Sequence, residues 1–413
     1  MAHAPDTGEA RDQADGGSRP LATLGGGANQ AGGRAYNERL ALSLIRLNGP
    51  LPKAELARLT GLSAQTMSMM MRRLEGDGLV VAQEPVRGRI GQPSVPYALN
   101  PRGALSIGVK LGRRSTDVVI CDFMGRILDR SKQTYAAPFS EQALGFVERE
   151  IARLRRRHQK ESRIAGVGVA MPFELWKWAE EIDAPAGALD GWRDLDVARE
   201  IERRTGLPCF VANDASAACA AELAYHHRGS AIDLLYFFVG SFIGGGVALN
   251  GALMQGRTGN AGALGSMPVT LEGRRSQLIH YASLISLERA IAAEGGDVSV
   301  LQEPEAEWRV IGAPLERWIE TAGKAIASAI VSAVSVIDFA HVCVDGALPR
   351  ETLAALVAAT RRAVERHDLQ GLSPFEIAAG ELGSDARALG AAMLPINEAF
   401  GFAQDVLLKK TAA

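Results

Sequence analysis

The sequence predicts a mixed α/β chain in two unequal parts: a small, mainly helical module over residues 35–100, then a larger region over 101–413 in which apolar strands alternate with helices. Three observations carry the prediction. Leu40, Leu44 and Leu47 recur at three- and four-residue spacing, and two shorter amphipathic segments follow them. After Asn100-Pro101 the pattern changes to apolar runs, Ala104 to Leu111 and Ile164 to Ala170 among them, separated by helical ones. Charge divides at the same place: residues 35–100 hold eight Lys/Arg against five Asp/Glu although the whole chain carries −2, so a basic module precedes an acidic one.

Composition sets the outer bounds. With 413 residues, 47% hydrophobic and 22% charged, the chain reads as globular and long enough for two or three domains. No stretch approaches the roughly 20 uncharged apolar residues needed to span a bilayer. MAHAPDTGEARDQADGG lacks the basic start and apolar core of a secretory signal, so a cytoplasmic location is expected. Cys121, Cys209, Cys219 and Cys343 are far apart with no CxxC pair, which suggests neither a disulfide framework nor a thiolate zinc site; they read as buried small residues.

Residues 1–34 have almost no large apolar side chains with which to offset ordering entropy, and are expected to be a disordered tail. A helix is predicted from near Tyr36 to the Asn48-Gly49-Pro50 stop, and a second over Lys53 to Thr60 with Leu56 and Leu59 inward. After a turn at Gly61, a third runs from Ser63, its cap, to Gly76, with Met67, Met70 and Leu74 inward. The Met67 to Met71 cluster reads as core filler. A strand at Leu79-Val80-Val81, a Gly/Pro/Arg segment and a return strand at Tyr97-Ala98-Leu99 complete a winged helix-turn-helix. Its third helix leaves Ser63, Gln65, Thr66, Ser68, Arg72 and Arg73 outward, a set able to bond base edges near the N-terminus and phosphates further along. In the wing, Arg87, Arg89 and Gln92 lie among glycines that allow close approach to a narrow groove. A packing hairpin whose arginines merely solvate its face is the bland alternative; helix, turn glycine, polar helix and basic wing in that order favour DNA.

In the larger part, Ala104 to Leu111 and Thr116 to Cys121 read as strands around a Gly-containing turn. Gln142 to Arg157 reads as an amphipathic helix, Ile164 to Ala170 as a strand and Leu195 to Thr205 as a helix. A second such half begins at Leu234 to Gly240 and Ile243 to Val247. It continues with a long helix from Ala313 to Ala340, a strand at His341 to Val344 and a final helix from Ser384 to Leu394. Strand-turn-strand openings in both halves predict two similar lobes around a cleft.

Several short motifs follow one another in a fixed order. Asp190-Gly191-Trp192 precedes Asn213-Asp214-Ala215-Ser216-Ala217-Ala218 with Glu222; then come Gly244-Gly245-Gly246 and Gly259-Asn260-Ala261-Gly262-Ala263-Leu264-Gly265. Asp345-Gly346-Ala347 and Leu382-Gly383-Ser384-Asp385-Ala386 close the series. Behind a winged helix-turn-helix, this order resembles the ROK family of sugar-responsive repressors and sugar kinases, from residue 36 to the end. The resemblance implies an α/β fold made of an N-terminal winged helix-turn-helix (35–100) and a two-lobed actin-like, hexokinase-like ATPase domain (101–413), the ROK domain.

The departures from the family pattern are as informative. Kinase members open the domain with an Asp-x-Gly-Gly-Thr turn whose acid supports magnesium; here the run is Lys110-Leu111-Gly112-Arg113-Arg114-Ser115. Lys110 replaces the acid and Arg113 a glycine that lets phosphate approach, although cations here are able to hold an anion. Zinc-containing members carry one His and three Cys ligands, whereas here Ser266 replaces the His and no cysteine lies between Cys219 and Cys343, so no metal is expected. Of the hexose contacts the resemblance implies, Asn213 and Asp214 survive, while the remaining positions have become Ala263, Ser266 and Ile279. Asp214 matches the general base of the kinases. It either binds a hydroxyl or, with Asn213, only caps the next helix. Ser266 and His280 are candidate replacement contacts; Trp176 and Trp178 fit sugar stacking or packing equally. The Gly244 to Gly246 run reads as a hairpin turn.

These readings predict a DNA-binding regulator of carbohydrate genes, a repressor, with operator DNA and a sugar or polyol effector as partners. The ROK domain is expected to be kinase-inactive and to need no cofactor. DNA half-sites imply a homodimer or a dimer of dimers. The alternative is an ATP-dependent sugar kinase with residual activity.

Overall fold

The computed structural model describes residues 30–85, 94–158, 162–226, 233–302 and 306–401. Helix α1 (Gln30–Asn48) begins inside the stretch expected to be tail, six residues before Tyr36. It is followed by β1 (Leu51–Pro52), α2 (Lys53–Thr60), α3 (Ala64–Gly76), β2 (Val80–Ala82) and β3 (Pro96–Leu99). Gly61 adopts φ +69° at the end of α2, the left-handed conformation that turns the chain into α3. The strands form an antiparallel sheet in the order β1-β3-β2. Leu42 and Ile45 of α1, Leu56 of α2 and Met67, Met70, Met71 and Leu74 of α3 bury a common core with Val80, Tyr97 and Leu99.

The first lobe contains β4 (Leu105–Leu111), β5 (Ser115–Cys121), β6 (Ile127–Thr134), α4 (Ser140–His158), β7 (Ile164–Met171), α5 (Val197–Thr205) and β8 (Cys209–Asn213). Its sheet runs β6-β5-β4-β7-β8, antiparallel on the β5 side and parallel from β4 to β8. β6 escaped the sequence reading because Asp129, Arg130 and Lys132 interrupt it. They fit there because β6 is an edge strand with one half-buried and one exposed face. Helix α6 (Asp214–His226) follows β8 directly.

The second lobe contains β9 (Leu234–Val239), β10 (Gly244–Leu249), β11 (Ala252–Leu253), the hairpin β12 (Pro268–Leu271) and β13 (Arg274–Gln277), α7 (Ile279–Ala282) and α8 (Leu284–Ala293). It continues through α9 (Ala313–Val334), β14 (His341–Gly346), α10 (Arg350–Val364), β15 (Glu376–Ala379) and α11 (Ala386–Phe400). Its main sheet, β11-β10-β9-β14-β15, repeats the first lobe's order of third, second, first, fourth and fifth strand. α9 stops at Val334 instead of Ala340, where Ser332 and Ser335 return their hydroxyls to the carbonyls of Ser328 and Ser332. α11 begins at Ala386 and runs past Leu394 through Pro395 to Phe400. Pro395 has no N–H for the Ala391 carbonyl, and that carbonyl lies against Gly168 of β7: a Cβ there would come within 1.8 Å of it.

Helix α11 sits where every part of the molecule meets. Added Cβ atoms on Gly108 of β4 and Gly390 of α11 would fall 2.2 Å from the Ala388 carbonyl and 2.0 Å from the Ala217 carbonyl, so α11 touches β4 and α6 backbone to backbone. At its far end Ile396 enters the core of the N-terminal module, and Phe400 packs edge-on against Phe123, with ring centroids 5.0 Å apart. Arg46 of α1 lies over the same Phe123 ring at 5.3 Å. Among the described residues, no helix is long and apolar enough to cross a membrane.

Candidate functional sites

The first candidate site is the outward face of α3. Ser63 caps the helix, its Oγ accepting from the Thr66 N–H at 3.1 Å, and the two hydroxyls lie 2.9 Å apart. Gln65, Thr66, Arg72 and Arg73 are exposed and Ser68 is half-buried, so one surface gathers them. Two features of this face were missed. Met69, read as core, is 59% exposed: unlike Met67, Met70 and Met71 it points outward among the polar residues. Arg73 is ion-paired with Glu38 of α1, which leaves Arg72 as the α3 arginine without an ion pair among the described residues. Arg87, Arg89 and Gln92 fall in residues 86–93, outside the described residues.

The second candidate site is the cleft between the lobes, a cavity of about 250 Å³. Asn213 ends β8 and accepts the N–H groups of Ala215 and Ser216 on Oδ1 at 3.0 and 3.1 Å, so it does cap α6. Asp214 does both jobs. Its Oδ1 accepts from the Ala215 N–H at 3.1 Å, while Oδ2 faces the Arg387 guanidinium of α11 at 3.5 Å. Both residues line the cavity, together with Ala263, Ser266 and Ile279, the three positions where family contacts are replaced. His280 does not line it. Ile279 takes the buried face of the short helix α7, and the helical turn places the next residue outward, so His280 is exposed and is corrected as a ligand contact.

The β4–β5 turn supplies the cleft's unusual chemistry. Lys110 is buried, its Nζ donating to Ser115 Oγ at 2.5 Å and Asp117 Oδ2 at 2.8 Å. Burial pushes its pKa down to about 8 against the pull of Asp117. Arg113 enters the cavity wall, lying 4.2 Å over the Phe242 ring and 5.5 Å over that of Trp178, and burial lowers its pKa to about 10. Trp178 thus lines the cavity and packs on Phe242 at 5.2 Å, while Trp176 packs against the core.

The opposite wall comes from the second lobe. Gly244 and Gly245 of β10 line the cavity, yet their lack of side chains serves packing. An added Cβ would meet Ala215 Cβ at 2.9 Å from Gly244, the Tyr236 carbonyl at 2.5 Å from Gly245, and Cys219 Cβ at 2.5 Å from Gly246. Glu174, which lines the cavity from the first lobe, holds a left-handed φ of +47° and pairs with Lys177 at 2.7 Å. Asn260, from the Gly259-to-Gly265 motif, also lines the cavity, as do Phe173 and Lys177, the neighbours of Trp178 in the first lobe. The four cysteines are free and buried.

Comparison with known proteins bears on both sites. The ROK family profile matches residues 106–398, and a profile described as winged helix-turn-helix DNA-binding matches residues 34–81. The chain is 24% identical to the xylose repressor of Bacillus subtilis over 250 residues, 60% of this chain and 64% of that one, so the match spans less than two thirds of the repressor's length. The crystal structure of a ROK family transcriptional regulator, described as a homologue of the E. coli MLC protein, superposes with a TM-score of 0.66 at 19% identity, covering 91% of this chain and 98% of the other. The ROK hexokinase of Thermus thermophilus superposes with a TM-score of 0.51 at 25% identity, covering 70% and 97%. The larger part therefore has the hexokinase-like fold, and a DNA-binding module precedes it.

Proposed function

The chain belongs to the ROK family, and from that premise we propose that it is a sugar-responsive, DNA-binding transcriptional repressor whose ROK domain binds an effector without phosphorylating it. One observation carries the reading: α11 is shared between the cleft and the DNA-binding module. Arg387, in its first turn, faces Asp214, and Ile396, near its end, is buried with Leu42 and Ile45 of α1. α1 is in turn tied to α3 by the Arg73–Glu38 pair. An effector that draws the lobes together around Asp214 displaces α11, and α11 carries that displacement into the module that presents α3. Effector and operator then oppose each other by the same factor in both directions.

In this reading the wHTH module is residues 35–100 and the effector domain 101–413, with 1–34 as a tail. Ser63, Gln65, Thr66, Ser68, Arg72 and Arg73, with Arg87, Arg89 and Gln92 of the wing, meet DNA, while Ser63 serves chiefly as the cap that aims the helix. Met69 joins them as an apolar contact suited to a thymine methyl group. In the cleft, Asn213, Asp214 and Ser266 bind effector hydroxyls. The non-enzymatic reading is supported by Lys110, whose ammonium is committed to Ser115 and Asp117 where the kinases carry a magnesium-supporting acid. Half-site geometry supports a homodimer or dimer of dimers, and a DNA target a cytoplasmic location.

The test is footprinting on the DNA upstream of the protein's own gene at stated salt, with Arg72→Ala as the control. The expected result is a specific footprint that weakens by roughly 1 kcal/mol or more in the variant, with a reduced salt slope. No specific footprint at any salt would overturn the regulator. Sugar-dependent ATP turnover that Asp214→Asn abolishes would restore the kinase.

A further inference from the structure

Among the described residues, every charged side chain lining the cavity has an ion partner except one. Glu174 is paired with Lys177, and Asp214 with Arg387. Lys110, beneath the turn, is paired with Asp117. Arg113 has no ion pair and no hydrogen bond among the described residues, and its Nε is buried with no partner. The two groups of opposite charge that act on it are Asp214, already engaged by Arg387, and more weakly Glu181, which stands off the cavity wall. Leaving a guanidinium partly buried and unpaired is costly. What offsets that cost here is cation–π contact: the guanidinium carbon lies 4.2 Å from the Phe242 ring centroid and 5.5 Å from that of Trp178, which holds the group against the cavity wall. A guanidinium is able to grip a carboxylate or phosphate through two parallel N–H donors.

We propose that the effector of this cavity is anionic: a polyol carrying one oxyanion group, the carboxylate of a sugar acid or the phosphate of a sugar phosphate. Arg113 grips the oxyanion while Asn213, Asp214 and Ser266 take the hydroxyls. Asp214 does not repel it, because Arg113 and Arg387 together place two positive charges around that single carboxylate. The size agrees: about 250 Å³ holds one sugar with a small appended acid group. The proposal rests on the effector reading of the cleft and adds the ligand's charge to it.

The experiment is calorimetric titration of the full chain at constant ionic strength. D-gluconate, D-xylonate, D-glucuronate and glucose 6-phosphate are compared with D-glucose and D-xylose. At least one anion is expected to bind tenfold or more tighter than the neutral sugars. Arg113→Gln should remove that preference, bringing the anions down to the affinity of the neutral sugars. Arg113→Lys should keep part of the preference, since it retains the charge and loses the fork. The comparison between ligands on the unaltered protein needs no variant, so misfolding of either variant leaves the result readable. The carboxylate and phosphate arms show which oxyanion the site takes. Neutral sugars binding as tightly as every anion would overturn the proposal and leave the effector reading standing. No binding by either class, with the operator still bound, would overturn both.

Discussion

The two lobes share one strand order but differ in the turn that opens each sheet. In the first lobe the turn between β4 and β5 is filled: Lys110 lies buried beneath it and Arg113 stacks on the cleft's aromatic wall. In the second, the segment between β9 and β10 leads into Gly244-Gly245-Gly246, which remains empty of side chains. A glycine-rich turn invites reading as a phosphate cradle in either lobe. The difference teaches that the first turn accommodates large side chains, whereas the second lobe's glycines are fixed by the helix and strand pressed against them.

That contrast breaks most easily at the glycines. Gly246→Val would drive a branched side chain into Cys219 of α6 and is expected to cost more than about 3 kcal/mol, seen as loss of folded protein in a denaturant titration. Gly112→Ala in the first turn meets the hydrogen-bonded end of Lys110 at 2.6 Å and the Ser115 carbonyl at 3.0 Å, and should cost less, about 2 kcal/mol. Equal costs would mean that the two turns are constrained alike.

The charges buried around the cleft sharpen the comparison next. Where the first lobe buries a cation, the second buries acids: Glu222 of α6 is 2% exposed and faces Asp345, fully buried at the end of β14. Burial and Asp345 push the Glu222 pKa up to about 7, and burial raises that of Asp345 as well. An acid whose pKa is higher folded than unfolded holds its proton longer in the folded state, so stability is lost as pH rises from about 4.5 to about 7. For Glu222 the loss is roughly 3 kcal/mol. Thermal melts at pH 5 and pH 8 should show Glu222→Gln gaining several degrees over the wild type at pH 8 and little at pH 5. A variant that gains nothing at pH 8 would falsify the buried-acid account.

A further small effect belongs to Lys110. Lys110→Met removes a buried ammonium whose pKa is already depressed but strands Asp117, which keeps some exposure. A net loss of about 1 to 2 kcal/mol is expected, smaller than removal of one partner from a fully buried pair. A loss above 4 kcal/mol in the same denaturant titration would show that the pair holds the turn together.

Much of this was legible in the sequence, and the misses have physical causes. Helices α2 and α3 and their cap were readable because periodicity, Gly61 and Ser63 agree locally. The cavity members Asn213, Asp214 and Ser266 were readable through motif order. Met69 was misread because a run of four methionines in five residues hides which one faces out, a matter of helical phase. His280 was misread for the same reason, one residue from Ile279. Arg113 was visible as a departure, but its lack of a partner depends on Phe242, Trp178 and Arg387, which only the fold brings beside it.

Helix α11 also sets an order of assembly. The N-terminal module leaves the ribosome first, yet its core is closed by Ile396 and Phe123, and Ile396 is made only after every earlier described element. At typical rates of synthesis the module waits tens of seconds for that residue. During this interval the module's core, built on Leu42, Ile45 and the inward methionines, lacks the side chain of Ile396. A nascent chain of this protein thus closes the core of its DNA-binding module only once the ROK domain has been synthesised.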